Sequence, residues 1–338
     1  MKVGIIGTGL QGKRRASVFP TRSESKVLAI ACGHPADEIS SRALASIIGA
    51  KSYASWEEVV ARDDIDAVII CTPPHLHAEM AIKAMETGKH VLCEKPLART
   101  LEEAKTMVEK AREFGVTLKC GFNHRHHQGI LQAKAWVDSG ELGELDFARC
   151  RYGICGRPGY EKEWRANPAL VSGGQLMEQG IHAIDLFRWF LGNFSEISAF
   201  VATRYWKNIR PLEDNAFVML RSQDHKIAEL HSSLTQWKNH FSFDLFGHEG
   251  YASVEGLGGS YGTERAILGK RGFDRPFSER VVEYRGAVDP SWRYEWEEFE
   301  SAVAEQRDPM GSAKEGLEAM RLVFAAYDSN KKGVVVRL

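Results

Sequence analysis

Short, continuous hydrophobic runs alternate with helical segments over the first third of the chain. The runs lie at residues 3–7, 27–32, 67–71, 90–93 and 116–120, and segments with helical character lie at 11–19, 36–48, 77–86 and 100–115. Two helices begin with capping boxes, at Ser55 and Thr100, each followed three residues later by Glu. Strands that are hydrophobic along their whole length and separated by helices are typical of a parallel sheet covered on both faces. We therefore predict a doubly wound, Rossmann-like α/β domain over residues 1–121.

The pattern changes after residue 121. Hydrophobic and polar residues alternate at 241–245, and mostly also near 145–152, 196–204, 215–221 and 226–234. Such alternation indicates antiparallel strands with one face toward water. Helices are predicted at 129–138, 175–191 and twice near the end of the chain, where Trp292 begins a hydrophobic stripe and Ser312 caps the last helix. We predict a second α/β domain over residues 122–338 with a large, mostly antiparallel sheet, whose C-terminal helices are able to pack back on the first domain.

Composition and charge exclude several classes of protein. The 338 residues are 43% hydrophobic and 26% charged, which is typical of a soluble globular protein of two domains. The net charge of −1 provides no basic excess for nucleic acid or for anionic lipid, and no hydrophobic run is long enough to span a bilayer. Because Met1 leads straight into a strand and no Cys-x-x-Cys pair occurs, we expect a cytoplasmic protein with reduced thiols.

A glycine-rich turn follows the first strand. It contains Gly7, Thr8, Gly9, Leu10, Gln11 and Gly12. In a dinucleotide-binding turn the first glycine permits the tight bend, the second lets the backbone approach the pyrophosphate, and the third lets the helix pack close to the strand. The N–H groups at the start of the helix then bind the phosphates. Glycines also serve ordinary turns, but this triplet lies between a strand and a helix of a βαβ pattern, which predicts a nicotinamide dinucleotide site.

The end of the second strand bears on the choice between NAD and NADP. The strand ends with Cys32, Gly33 and His34, where an acidic residue usually binds the adenosine ribose. Without that carboxylate a 2′-phosphate is not repelled, and His34, Arg14 or Lys13 is available to bind it. This favours NADP modestly. The alternative is a turn that accommodates NAD through backbone contacts, so both cofactors stay open.

Three further motifs follow in order along the chain. They are Cys71, Thr72, Pro73, His75 and His77 after the third strand, Glu94, Lys95 and Pro96 after the next, and the segment 173–185 at the start of the mid-chain helix. Together with the glycine turn they resemble the glucose–fructose oxidoreductase, inositol dehydrogenase and rhizopine catabolism (Gfo/Idh/MocA) family over essentially the whole chain. The resemblance implies a Rossmann domain and an α/β domain whose open sheet builds contacts in a homo-oligomer, a dimer or a tetramer. It also implies an NAD(P)-dependent oxidoreductase acting on a secondary alcohol or ketone of a sugar, cyclitol or nucleotide sugar.

The resemblance also implies site residues. Lys95 matches the family's active-site lysine and His182 its catalytic histidine, whereas the usual Asp four residues before that histidine is Glu178 here. Glu178 and His182 are expected to share one helix face, and Asp185 to orient the imidazole or bind a sugar hydroxyl. The chemistry agrees, because hydride transfer from a carbinol needs a proton acceptor such as an imidazole with a pKa of about 6.5, and an ammonium stabilises the developing alkoxide. Without the resemblance, an ordinary surface Glu–His pair would be at least as acceptable. A solvated turn lysine is the alternative for Lys95, but its position at the C-terminal end of a parallel strand argues against it.

Cofactor and substrate contacts are assigned in the same way. The resemblance places the loop 71–77, Glu94 and Lys95 beside the cofactor, and Trp164 with Arg165 near cofactor and substrate; a cis bond before Pro96 would be in keeping with the family. The predicted substrate contacts are Lys95, Asn123, Arg125, Tyr152, Arg165, Glu178 and His182. Basic residues at 151, 157, 162 and 165 interleave with aromatic ones, which suggests a phosphorylated or nucleotide-linked sugar, or simply a solvated basic loop.

Other features of the second domain have two interpretations each. The histidines at 124, 126 and 127 suggest a metal, but no Cys or carboxylate accompanies them at ligand spacing, and we expect no metal. The glycines at 173 and 174 favour a helix N-terminus that faces a ligand. The loop 256–262 is either a substrate-side loop or a hairpin connection. Two other functions compete with dehydrogenation on this fold, namely an NAD-retaining glycoside hydrolase that works by transient oxidation and elimination, and a non-catalytic cofactor-binding regulator.

Overall fold

The computed structural model describes residues 1–19, 24–33, 38–273, 278–286 and 288–338. The chain forms two compact units. The first consists of Met1–Phe122, Ala169–Ser172 and Trp292–Glu318, and the second of Asn123–Pro168, Gly173–Ser291 and Ala319–Leu338. Each unit contains one β-sheet. The predicted cofactor residue His34 lies outside the described residues.

The first unit is built on a parallel sheet of six strands. The strands are β1 Lys2–Ile6, β2 Lys26–Ala31, β3 Lys51–Tyr53, β4 Ala67–Ile70, β5 His90–Glu94 and β6 Leu118–Gly121, in the order β3-β2-β1-β4-β5-β6. The helices between them are α1 Leu10–Ala16, α2 Glu38–Ile48, α3 Trp56–Val60, α4 His77–Glu86 and α5 Leu101–Glu113. The strand order reverses between β1 and β4, and open α/β sheets bind their ligands at such a point. The predicted doubly wound sheet is confirmed.

Local sequence accounts for most of these elements. β4 is buried at every position, as its unbroken hydrophobic run predicts, and both predicted capping boxes are formed, at the starts of α3 and α5. The predicted helix at 77–86 has the observed bounds of α4. β3 was not predicted, because its three residues are exposed or half-buried and form no hydrophobic run.

The second unit contains a sheet of nine strands. The strands are β7 Leu145–Cys155, β8 Phe194–Ala202, β9 Asn215–Ser222, β10 Ile227–Ser233, β11 Thr235–Gly247, β12 Gly250–Glu255, β13 Glu264–Lys270, β14 Glu279–Tyr284 and β15 Val336–Arg337. Their order is β14-β13-β12-β11-β7-β10-β9-β8-β15, and every pairing is antiparallel except that of β7 with β10. The remaining helices are α6 Gln128–Asp138, α7 Ile181–Leu191, α8 Ser291–Ala304 and α9 Ala313–Lys332. The predicted mostly antiparallel sheet is confirmed.

The two faces of the large sheet differ. Phe241, Phe243 and Leu245 are buried on the face that α7 covers, where the rings of Phe187 and Phe243 stack at 5.5 Å. The opposite face exposes hydrophobic side chains on β8 and β9, toward one edge of the sheet. Phe200 is 77% exposed, Phe217 53% and Met219 46%. Among the described helices, none combines the length and the hydrophobic character that crossing a bilayer requires. The cytoplasmic location stays a prediction.

Candidate active site

The glycine turn at the start of α1 has room for a ligand at one position only. Gly7 has a φ of +95°, and a Cβ there would lie 2.7 Å from the backbone carbon of Cys71. A Cβ at Gly12 would lie 1.9 Å from the carbonyl oxygen of Gly7, whereas one at Gly9 would meet nothing within 4 Å. Gly7 and Gly12 therefore serve close packing, and Gly9 borders open space. The buried hydroxyl of Thr8 has no hydrogen-bond partner among the described residues, so the turn fits a pyrophosphate group.

The structure explains why no acid ends the second strand. The side chain of Cys32 is buried, with its sulfur 3.9 Å from the carbonyl oxygen of Ala54. A Cβ at Gly33 would lie 2.5 Å from the methyl group of Thr72. A carboxylate at position 33 would therefore require Thr72 to move.

The loops after β4 and β5 are tied together by His77. Its two ring nitrogens lie 2.8 Å from the carbonyl oxygen of Thr72 and 2.9 Å from that of Pro96. Two carbonyl acceptors favour a protonated ring, but burial outweighs them and lowers the pKa of His77. The ring is fully buried, so the structure gives His77 the role of positioning the loop that carries Lys95, which corrects its assignment as a cofactor contact. Lys95 itself is half-buried, and the Lys95–Pro96 bond is cis.

Glu94 also has a different role from the one predicted. Its carboxylate accepts two hydrogen bonds from Arg15, at 2.9 and 2.8 Å, beneath the glycine turn. Arg15 also pairs with Glu295 of α8, and all three side chains are buried. Glu94 therefore anchors α1 to the sheet, and the prediction that it contacts the cofactor is not supported. His75 is half-buried and hydrogen-bonds the backbone of Leu170, and its desolvation lowers its pKa.

In the second unit, the predicted helix 175–191 does not begin as an α-helix. Residues Leu176–Gly180 form a π-helical turn, and α7 follows. The carboxylate of Glu213 accepts hydrogen bonds from the backbone N–H groups of Gly174 and Leu176, at 3.0 and 2.8 Å, and from the Tyr327 hydroxyl at 2.9 Å. A Cβ at Gly174 would lie 2.3 Å from the carbonyl oxygen of Glu213. The expectation of a ligand-facing helix start is therefore wrong, because a protein carboxylate caps it and the glycine serves close packing.

His182 lies in the first turn of α7 and is buried against aromatic rings. Its ring stacks on that of His124, with centroids 3.8 Å apart and planes 22° apart, and the ring of Tyr152 lies 6.5 Å away. Sequence reasoning missed His124 as a neighbour of His182 and considered it only as part of a possible metal cluster. The described residues contain no group of three or more His, Cys, Asp or Glu side chains that is able to hold a metal ion.

Glu178 lies in the π-helical turn and is paired with Arg165 at 3.1 Å, with both side chains about three-quarters buried. Arg165 in turn lies over the ring of Trp164, 4.3 Å from its centroid. Burial, together with the nearby charge of Glu178, raises the pKa of Tyr160. Burial and the neighbouring Tyr261 raise the pKa of Tyr152, with a smaller contribution from Glu178. Glu178, Arg165 and Tyr152, three of the predicted site residues, therefore lie near one another in the second unit. The glutamate is already in an ion pair with Arg165.

Asp185 and Arg125 bind each other. The guanidinium donates two hydrogen bonds of 2.7 Å to the two carboxylate oxygens, and both side chains are almost fully buried. Asn123 is buried as well and donates to Ser291 at 3.0 Å. The predicted roles of Asp185 in orienting His182, and of Arg125 and Asn123 in binding substrate, stay predictions, although these polar atoms already have partners inside the unit.

The predicted basic cluster of the 151–165 segment is dispersed. Arg157 forms a bidentate pair with Glu163, at 2.8 and 2.6 Å, and Arg165 is paired with Glu178. Arg151 lies on β7, where its side chain is exposed. Carboxylates therefore neutralise the two arginines nearest the aromatic residues, which disfavours a phosphate site here.

Two family models match the chain. Residues 1–122 match the model described as an oxidoreductase family with an NAD-binding Rossmann fold, and residues 130–253 match the GFO/IDH/MocA C-terminal domain. Together the two models cover well over half of the chain.

Individual relatives agree with these matches. The chain is 33% identical to levoglucosan dehydrogenase of Pseudarthrobacter phenanthrenivorans, over 63% of this chain and 56% of that protein, so the match spans just over half of the relative's length. It is 28% identical to D-xylose 1-dehydrogenase (NADP(+)) 2 of Haloferax volcanii over the whole length of both chains. A solved structure of levoglucosan dehydrogenase in complex with NADH superimposes with a TM-score of 0.88 at 24% identity, covering 100% of this chain and 98% of that one.

Proposed function

Because the chain belongs to the Gfo/Idh/MocA family of oxidoreductases, we propose that it transfers a hydride between a nicotinamide cofactor and a secondary alcohol or ketone of a sugar-like substrate. The family resemblance inferred from the motifs is thereby confirmed. The glycine turn is the observation that carries the proposal: Gly9 borders open space, and the buried hydroxyl of Thr8 lacks a partner among the described residues. A bound cofactor supplies the nicotinamide carbon that accepts or returns the hydride.

The side chains would handle the proton and the orientation of the substrate. His182, buried in an aromatic environment, accepts the hydroxyl proton during oxidation and returns it during reduction. For Lys95, half-buried after β5, we propose the role of stabilising negative charge that develops on the substrate oxygen. Glu178, with Arg165, binds neighbouring hydroxyl groups. Asp185 is not included, because it is paired with Arg125.

The substrate that we propose is an uncharged sugar or cyclitol. A phosphorylated substrate needs cationic side chains that are not neutralised, and Arg157 and Arg165 each have a carboxylate partner. Levoglucosan and D-xylose, which appear in the names of two relatives, are neutral sugars.

NADP is the cofactor that we propose, with NAD as the alternative. No acid lies at Cys32 or Gly33 to repel a 2′-phosphate, and the side chains of Lys13 and Arg14 are exposed on α1. Relatives with either cofactor in their names exist, so the preference rests on these residues alone.

We also propose that the protein forms a homo-oligomer through the open face of its large sheet. Phe200, Phe217 and Met219 form part of a hydrophobic surface on that face, and such surfaces usually mark an interface. Dimer and tetramer remain the two alternatives, and light scattering of the purified protein distinguishes them.

A panel of polyols, neutral sugars and sugar phosphates, each assayed with NAD and with NADP, tests the function. We expect sustained formation of reduced cofactor with a neutral substrate, and loss of turnover with retained cofactor binding in Lys95→Met and His182→Gln. Matched controls are Lys83→Met and His248→Gln, at exposed positions, which should keep wild-type turnover. Release of an aglycone from a glycoside without accumulation of reduced cofactor would identify the glycoside hydrolase instead. Cofactor binding with no turnover on any substrate would identify a regulator.

A further inference from the structure

The contact between His182 and His124 has a specific geometry. The two rings stack at 3.8 Å, and both are buried. His124 belongs to the short turn Asn123–His126, far from α7 in sequence. Two imidazoles that lie this close influence each other's charge.

Hydrogen bonds determine which nitrogen of His124 carries the proton. Its Nδ1 lies 3.2 Å from Oδ1 of Asn123, whose amide nitrogen donates to Ser291. Its Nε2 lies 3.0 Å from the hydroxyl of Tyr152. An amide oxygen only accepts, so Nδ1 donates to it. The Tyr152 hydroxyl is able to donate to Nε2 or to accept from it, and the ring is neutral when the hydroxyl donates.

Tyr152 is suited to keep His124 neutral. Burial and the neighbouring Tyr261 raise the pKa of Tyr152 well above its usual range, so its hydroxyl keeps the proton that it donates. That hydrogen bond competes with protonation of Nε2. Titratable and charged groups near His124 and Tyr152 include His127, with Glu264 behind it, and Tyr261 and Glu178; Arg125 and Asp185 form a buried pair in the same unit.

We propose that His124 is a positioning residue for His182, held neutral by Asn123 and Tyr152. It fixes the plane of the His182 ring and stabilises the imidazolium that forms there. A neutral aromatic face attracts a stacked cation, whereas a protonated His124 would repel it. The role rests on the proposed function, because it requires that His182 takes up the proton of the substrate hydroxyl while the hydride leaves the carbinol carbon for the nicotinamide. His124 exchanges no proton in this step.

The first test needs no substrate and so does not depend on the proposed function. Nitrogen shifts of isotope-labelled histidine side chains report the tautomer and charge of each ring, and His124→Phe assigns the His124 signals. We expect the Nδ1–H tautomer of His124, uncharged at pH 7. Tyr152→Phe should make His124 easier to protonate, because Nε2 loses its donor. An Nε2–H tautomer, or a charged His124 ring at pH 7, would overturn the proposal.

A double-mutant cycle then tests the role in turnover. In Tyr152→Phe we expect the acid limb of kcat/KM to move up by about 1 pH unit, because His124 becomes easier to protonate. His124→Phe keeps a stacked ring without a charge, so its acid limb should match that of the wild type, and Tyr152→Phe should add no shift in that background. His124→Ala lacks the ring and should lower kcat by about 10- to 30-fold, with a smaller change in KM.

The cycle also separates two roles of Tyr152. An equal shift in both backgrounds would mean that Tyr152 acts on the substrate directly, as the sequence-based assignment has it, and would overturn the role of His124. Tyr251→Phe, a tyrosine on β12 of the large sheet, is the matched control and should leave the pH profile unchanged. If His124→Ala fails to fold, the pH profiles of His124→Phe and of the double variant His124→Phe with Tyr152→Phe still decide whether Tyr152 acts through His124.

Discussion

Asp185→Asn tests whether Asp185 supports the fold or acts on the substrate. The substitution keeps the shape of the side chain and removes its negative charge. In the wild type, two hydrogen bonds of 2.7 Å connect this carboxylate to Arg125. The guanidinium stays buried over the ring of Trp189, 5.3 Å from its centroid. Breaking one partner of a buried ion pair typically costs about 3–5 kcal/mol, and the remaining amide oxygen still accepts one bond, so we expect about 3 kcal/mol. For a domain of this size that corresponds to a Tm lower by roughly 6–12 °C.

The assay is thermal unfolding followed by circular dichroism, with turnover measured on the same preparations well below the transition. Asp138→Asn, the same substitution in the exposed pair with Lys134 on α6, should change the Tm little, because exposed pairs contribute little to stability. The double variant Arg125→Met with Asp185→Leu replaces the pair with hydrophobic side chains and should recover most of the Tm. If Asp185→Asn keeps the wild-type Tm and loses turnover, the structural role is wrong and Asp185 acts in catalysis.

Three further predictions follow from the first unit. Gly12→Ala should destabilise the protein, because its Cβ would meet the Gly7 carbonyl oxygen at 1.9 Å. Gly9→Ala should keep the Tm and weaken cofactor binding. Equal effects of the two substitutions on the Tm would contradict the assignment of Gly12 to packing and Gly9 to the cofactor. Arg14→Gln should weaken NADP binding by roughly 10- to 100-fold in fluorescence titrations and leave NAD binding unchanged, because only NADP carries the 2′-phosphate. Equal losses of affinity for both cofactors would show that Arg14 does not contribute to the preference for NADP. Burial lowers the pKa of His77 below its ordinary value, so the folded state prefers the neutral ring and its stability should fall as the pH drops below about 6.5. His77→Gln should flatten that part of the curve of Tm against pH, and an unchanged slope would count against the assignment.

Much of the fold is encoded in local sequence patterns. Unbroken hydrophobic runs predicted β1, β2, β4, β5 and β6, because a strand buried on both faces needs hydrophobic residues at every position. Capping boxes located the starts of α3 and α5 for the same local reason, since both partners lie within one helical turn. The spacing of Gly7, Gly9 and Gly12 predicted the cofactor turn, because the tight bend at Gly7 and the close backbone contact at Gly12 leave no alternative to glycine, and Gly9 leaves room for the phosphates.

The candidate site depended more on contacts between distant parts of the chain. Nothing near position 174 in sequence indicates that Glu213 caps the start of the helix, and nothing near position 182 indicates that His124 stacks on His182. The sequence nominated Glu94 through the family resemblance, Asp185 through its spacing from His182, and Arg125 as a substrate contact in place of a metal site. Only the tertiary structure shows that each has a buried partner of opposite charge, since ion pairing depends on distance in space and not on distance along the chain.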